Sequence, residues 1–252
     1  MSGSSRRTAL ITGATGGIGR AIVSRLVADG IGVWVTDVDA AACVELAEDM
    51  RARAGAAWSF TLDVGVEEHW QEIVQEIEGR SGKLDILVNN AGISKTTSTV
   101  ADESLSDYER VVRVNQVGVF LGMKHAGTLI ERSGGGAIVN VSSIFGTVGG
   151  LGGSFSYHAA KGAVRIMTKS AAVHWAERGV RVNAVCPGFI ATPRLEHAWD
   201  GTERLKAILA GTPMKRRGRA EEVASAVAFL ASEDAAFITG AELYVDGGWT
   251  AV

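Results

Sequence analysis

Apolar residues fall in two alternating patterns along the chain. Short runs apolar on both sides, such as Ile86-Leu87-Val88, suit strands buried on both faces of a sheet. Longer stretches with helical period lie between them. The pattern predicts strands over 8–12, 33–37, 57–62, 85–88, 137–141, 181–185 and 242–245. It predicts helices near 18–29, 40–54, 66–80, 104–132, 156–178 and 220–231. Alternating strands and helices imply an α/β fold: a doubly wound, mostly parallel seven-stranded sheet in a Rossmann-type three-layer sandwich. Right-handed crossovers then place ligand sites outside the carboxyl ends of the strands. No Pro/Gly/Ser-rich linker or internal repeat divides the chain. One domain over 1–252 is expected, with 1–7 as a flexible tail.

Composition narrows the function classes. At 252 residues and 46% hydrophobic content, the chain can bury one large core. A net charge of −3 offers no global basic surface, so no nucleic-acid or membrane partner is expected. No apolar run approaches the roughly 20 residues needed to span a bilayer. Cys43 and Cys186 lie far apart, which makes neither a disulfide framework nor a metal cluster; no metal and a cytoplasmic location are expected. Arg6-Arg7 begins like an export signal, but the apolar run after it stops at Thr12-Gly13, short of the roughly 7–15 residues required. The basic run from Lys215 to Arg219 leads into Glu221-Glu222 and reads as a solvated helix entrance.

The first strand runs into Thr12-Gly13-Ala14-Thr15-Gly16-Gly17-Ile18-Gly19 and then a helix. Gly13 permits a tight turn. Gly16 and Gly17 leave room for a pyrophosphate, Ile18 opens the helix, and Gly19 allows close helix–strand packing. The helix N-terminus offers unpaired N–H groups to phosphate. Asp37 ends the second strand, 18 residues past Gly19. An acid there can bind the adenosine ribose and repel a 2′-phosphate. Val38 follows it, and the glycine loop offers Thr15 and Gly16, not a basic residue, ahead of Gly17. These features point to NAD (NADH) rather than NADP. Turn capping is the plainer use of Asp37.

Tyr157 and Lys161 stand at i and i+4 on a predicted helix and so share a face. A neighbouring cation favours the phenolate and is expected to lower the phenol pKa from about 10. Ser143, after the strand ending at Val141, is placed to donate to a substrate oxygen; Ser142 is the rival position. Asn89-Asn90-Ala91-Gly92 forms a polar turn at the same sheet edge. Asn115 sits in an apolar helical run, where asparagine is a poor fit and must find partners.

These residues together resemble the short-chain dehydrogenase/reductase family, in its single-domain branch of about 250 residues. The likeness runs from Thr8 to Gly248 and adds Asp63-Val64, Pro187-Gly188 with Thr192, and Val245-Asp246-Gly247-Gly248. The resemblance implies a catalytic tetrad of Asn115, Ser143, Tyr157 and Lys161, with Tyr157 as acid/base. It implies adenine contacts from Asp63 and Val64, and ribose contacts near Asn90 and Gly92. Pro187, Ile190 and Thr192 would face the nicotinamide. It also implies a homotetramer built through the 104–132 and 156–178 helices. The Ser143-to-Tyr157 spacing is one residue longer than in many members, which Gly149-Gly150-Leu151-Gly152-Gly153 can absorb.

Phe145, Phe189, Leu195 and Trp199 join Ser143 and Tyr157 as expected substrate-pocket residues, with 189–215 as a lid. Apolar walls suit a hydrophobic small-molecule substrate: an aryl, cyclic or medium-chain secondary alcohol and its ketone. A 3-oxoacyl-thioester (acyl-carrier-protein) reductase using NADPH is the alternative. A non-catalytic dinucleotide-binding sensor is a second.

Overall fold

The computed structural model describes residues 6–53, 55–94, 98–150, 153–192 and 201–252. Seven strands form one sheet: β1 (Thr8–Thr12), β2 (Gly32–Asp37), β3 (Ala57–Thr61), β4 (Ile86–Asn89), β5 (Gly136–Val141), β6 (Val180–Pro187) and, last in the chain, β9 (Glu242–Val245). The order is β3-β2-β1-β4-β5-β6-β9, and every pair is parallel. The winding direction reverses between β1 and β4, which opens a crevice at their carboxyl ends.

Helices cover both faces because adjacent strand residues point opposite ways. Ala9 and Ile11 pack with Ile22 and Leu26 of α1 (Gly17–Ala28), with Leu46 of α2 (Ala40–Ala52) and with Val223 and Val227 of α7 (Ala220–Ala231). Leu10 and Leu87 face the other way. They meet Trp70 and Ile73 of α3 (Glu67–Ser81), the long helix α4 over 105–132, and Val164 of α5 (Phe155–Trp175). Trp34 and Trp58 stack at 5.2 Å beneath α3's side of the sheet.

Two stretches differ from the sequence pattern. The 104–132 helix is not uniform: π turns at Arg113–Val117 and Met123–Gly127 interrupt it. Such turns insert a residue without breaking apolar periodicity enough to show. Of the 189–215 segment, residues 193–200 lie outside the described residues, and its described parts carry elements the pattern does not predict. Ile190–Ala191 (β7) pairs with Gly218–Arg219 (β8) in a second small sheet. Glu203–Gly211 forms α6, whose N-cap Thr202 accepts from the Leu205 N–H at 3.2 Å. Among the described residues, no helix is long and apolar enough to cross a membrane.

Candidate active site

The glycine loop is built by close approach. Gly13 has φ +61, and a Cβ there would lie 2.7 Å from the Ala91 Cα. A Cβ on Gly19 would lie 2.2 Å from the Gly13 carbonyl oxygen. Gly16 is the N-cap of α1, with no side-chain cap and no acidic residue in the first turn. The leading N–H groups near Gly17 and Ile18 thus lack a side-chain acceptor and face a positive helix end. That arrangement fits the pyrophosphate of a dinucleotide.

Asp37 is already engaged within the protein. Its Oδ2 accepts from the Thr15 hydroxyl at 2.6 Å and from the Thr15 N–H at 3.2 Å. Its Oδ1 accepts from the Val38 N–H at 2.8 Å. The Asn90 amide donates to the Thr12 and Gly13 carbonyls, both at 2.9 Å. It fastens the turn after β4 to the glycine loop. Asp63 Oδ1 accepts from the Gly65 N–H at 2.8 Å. Val64 is 6% exposed and packs against Gly118, where a Cβ would lie 2.7 Å from Val64 Cγ2.

The four residues named as a tetrad come together at the ends of β4 and β5 and the start of α5. Asn115 is fully buried in the first π turn. Its amide donates to the Ile93 carbonyl and its Oδ1 accepts from the Ile93 N–H, both at 2.8 Å. The partner its burial demanded is therefore a strand-end main chain. Gly92 stands where a Cβ would lie 3.5 Å from both Asn115 Oδ1 and Lys161 Nζ. The Lys161 ammonium donates to the Val141 carbonyl at 2.7 Å and lies 5.7 Å from the Tyr157 ring centre.

The two serines separate cleanly. The Ser142 hydroxyl donates to the Lys161 carbonyl at 2.9 Å. The Ser143 hydroxyl accepts from the Phe145 N–H at 3.2 Å and is near enough to the Tyr157 phenol to lower its pKa. Ser154 caps α5 by accepting from the Tyr157 N–H at 3.3 Å. Glu103 accepts from the Ser156 N–H at 2.8 Å and from its hydroxyl. That carboxylate at the helix N-terminus had no signal in the sequence.

Burial changes the expected electrostatics. It pushes the Tyr157 phenol above its ordinary value of 10.0, with the Ser143 hydrogen bond pulling the other way. The lowering expected from Lys161 is not what the protein alone provides. Burial also pulls Lys161 itself down from 10.5 to about 8, which weakens the cation as a lever.

An aromatic wall stands beside this group. Phe145 and Phe189 meet edge-on at 5.8 Å, and Phe189 and Trp249 at 4.9 Å. His158 lies tilted against Phe145 at 4.7 Å. Trp249, on the C-terminal turn, had gone unmarked in the sequence because its partner lies 60 positions away. The Ile190 side chain is 4% exposed and packs into the core. Pro187 is buried at the end of β6 and Thr192 is half-buried. Leu195 and Trp199 lie outside the described residues.

A serine hydroxyl and a phenol close to each other, with an ammonium beside them, can hold an oxygen atom and pass it one proton. Residues 13–250 match the family described as enoyl-(acyl carrier protein) reductase. The chain is 40% identical over 245 residues to cyclopentanol dehydrogenase of Comamonas sp. (strain NCIMB 9872), covering 97% of each chain. It is 41% identical over 246 residues to cis-4-hydroxycyclohexanecarboxylate dehydrogenase of Sinomonas cyclohexanicum, covering 98% of this chain and 97% of that one. A crystal structure of a gluconate 5-dehydrogenase from Burkholderia cenocepacia J2315, in complex with NADP and tartrate, superposes with TM-score 0.92 at 32% identity. It covers 98% of this chain and 96% of that chain. The chain belongs to the short-chain dehydrogenase/reductase family of oxidoreductases.

Proposed function

We propose that this protein interconverts a hydrophobic cyclic secondary alcohol and its ketone, using NAD, with Tyr157 as acid/base. The observation that carries this reading is the convergence on Tyr157 of Lys161, whose Nζ lies 5.7 Å from the ring centre, and of Ser143, whose hydroxyl lowers the phenol pKa. The bound dinucleotide supplies the hydride acceptor or donor. Ser143 donates to the substrate oxygen and holds it where charge develops. In the reducing direction, Tyr157 gives its proton to that oxygen. In the oxidising direction, the Tyr157 phenolate takes the hydroxyl proton as the carbinol hydride departs. Lys161 favours the phenolate as it forms, and the positive ring of oxidised nicotinamide pushes the same way. Asn115 pins Ile93 and so holds the Asn89–Gly92 turn against Lys161.

Two features support the substrate class. Phe145, two residues after Ser143, meets Phe189, and Phe189 meets Trp249; an aromatic cluster of this kind suits an apolar ring. The Comamonas and Sinomonas relatives carry the names of cyclic-alcohol dehydrogenases. Asp37 supports NAD, because a carboxylate there repels a 2′-phosphate. It weighs against an NADPH-dependent acyl-carrier-protein reductase. We further propose a cytoplasmic homotetramer. Exposed Phe120 on α4 and Ile166 and Val173 on α5 leave apolar surface for subunit contacts. Both cysteines are free and buried, as suits a reducing compartment.

The test is a fluorescence titration with NADH and NADPH in parallel, followed by a panel of alcohols and ketones with the preferred cofactor. Tighter NADH binding and turnover of cyclopentanol or cyclohexanol are expected. Tighter NADPH binding with turnover of 3-oxoacyl thioesters would replace this reading with the acyl reductase.

A further inference from the structure

We propose that Thr15 is a specificity-determining positioning residue: it holds the Asp37 carboxylate so that one oxygen receives an adenosine ribose hydroxyl. The inference rests on the NAD reading above. Thr15 lies in the glycine loop, and Asp37 ends β2. Two donors from Thr15 fall on Oδ2: the hydroxyl at 2.6 Å and the main-chain N–H at 3.2 Å. The Val38 N–H falls on Oδ1 at 2.8 Å. A carboxylate oxygen has about two lone-pair sites. Oδ2 is therefore filled by Thr15, and Oδ1 keeps one site. A ribose hydroxyl can donate to that site. A 2′-phosphate brings negative charge and acceptor oxygens, so it meets only repulsion.

The orientation is set from both sides. The Arg20 side chain donates from its Nε to the Thr15 carbonyl at 3.0 Å, from the exposed face of α1. This pins the main chain of Thr15, while the Thr15 hydroxyl pins Asp37. Without the hydroxyl, Asp37 keeps its charge but loses the short bond that fixes its plane. Discrimination between the two cofactors then depends on a carboxylate held only by the Thr15 and Val38 N–H groups. An acidic residue at the end of the second strand is thus half of the selector, and the loop hydroxyl is the other half.

The test compares Thr15→Val, which keeps the shape and removes the hydroxyl, with Thr15→Ser, which keeps the hydroxyl. Dissociation constants are measured by fluorescence for NADH, NADPH and reduced nicotinamide mononucleotide, which has no adenosine ribose. Thr15→Val should weaken NADH binding about tenfold, the scale of one hydrogen bond to a charged group. NADPH and the mononucleotide should bind as before, and Thr15→Ser should bind NADH like the parent. An unchanged NADH-to-NADPH ratio in Thr15→Val would overturn the role of Thr15 alone. So would parallel weakening of NADH and the mononucleotide, which would mean a collapsed loop. A parent protein that prefers NADPH would instead overturn the cofactor reading on which the inference rests.

Discussion

The Ser142 hydroxyl donates to the Lys161 main-chain carbonyl at 2.9 Å, one turn along α5 from Tyr157. Adjacent serines thus serve different ends: Ser142 ties the end of β5 to α5, and Ser143 acts on the phenol, lowering its pKa. Ser142→Ala should cost about 1 kcal/mol of stability, the scale of a neutral hydrogen bond, and leave kcat near the parent value. Ser143→Ala should lower kcat about 100- to 1000-fold, as loss of an oxyanion donor does, with little change in Tm. Paired melting curves and steady-state kinetics separate the two. A larger kcat loss in Ser142→Ala would reverse the assignment.

Lys161 makes stability depend on pH with a definite sign. Its folded pKa is about 8 against an ordinary 10.5. Between those values the unfolded chain binds more protons than the folded one, so this residue's contribution rises with pH. Below about 8 the buried charge is a cost; above about 10.5 the cost is gone. Lys161→Met removes the titration. The Tm of the parent, less that of Lys161→Met, should grow from about pH 7 to about pH 10. A difference that is flat with pH would contradict the burial effect.

Tyr157 titrates in the opposite sense to a simple cation argument. Burial holds its phenol above 10.0 in the protein alone. Ultraviolet difference titration of the parent against Tyr157→Phe should show no phenolate signal from this residue at neutral pH. Adding oxidised NAD should shift the signal to lower pH, because the ring carries positive charge. A neutral-pH phenolate in the protein without NAD would place the activating effect in Lys161 instead.

The glycine loop predicts a severe local effect. Gly19→Ala puts a methyl 2.2 Å from the Gly13 carbonyl oxygen. Backbone must move, at a cost of about 1–3 kcal/mol or more. NADH binding should be lost or sharply weakened, because Gly13 and the start of α1 shift together. Gly16→Ala is the contrast: its nearest neighbour is 3.5 Å away, so it should fold normally. Chemical denaturation and NADH titration of the two variants check this.

The sheet was legible because its strands are short and buried on both faces. All five β1 residues are buried, and both its faces are covered by helices, which is what a run such as Ala9-Leu10-Ile11 implies. The positions of Tyr157 and Lys161 were legible from helical spacing. Three things were not. The π turn at Asn115 leaves the apolar pattern almost intact, so only the misfit asparagine hinted at it. β7 and β8 have two residues each, too few to show a period. The Phe189–Trp249 and Ser156–Glu103 contacts join distant stretches of chain, and a single sequence gives no means of pairing them. The sign of the Tyr157 shift failed for a related reason. Spacing reveals a neighbouring charge, but burial, the larger influence here, depends on everything packed around the ring.

The most direct test of the mechanism is Tyr157→Phe, assayed for NADH binding by fluorescence and for cyclohexanol oxidation by NADH absorbance. The phenol oxygen is the only atom removed. If Tyr157 is the acid/base, NADH should bind within about twofold of the parent, and kcat should fall by about 100- to 10,000-fold. Retained turnover with retained binding would contradict the account and require another group to carry the proton.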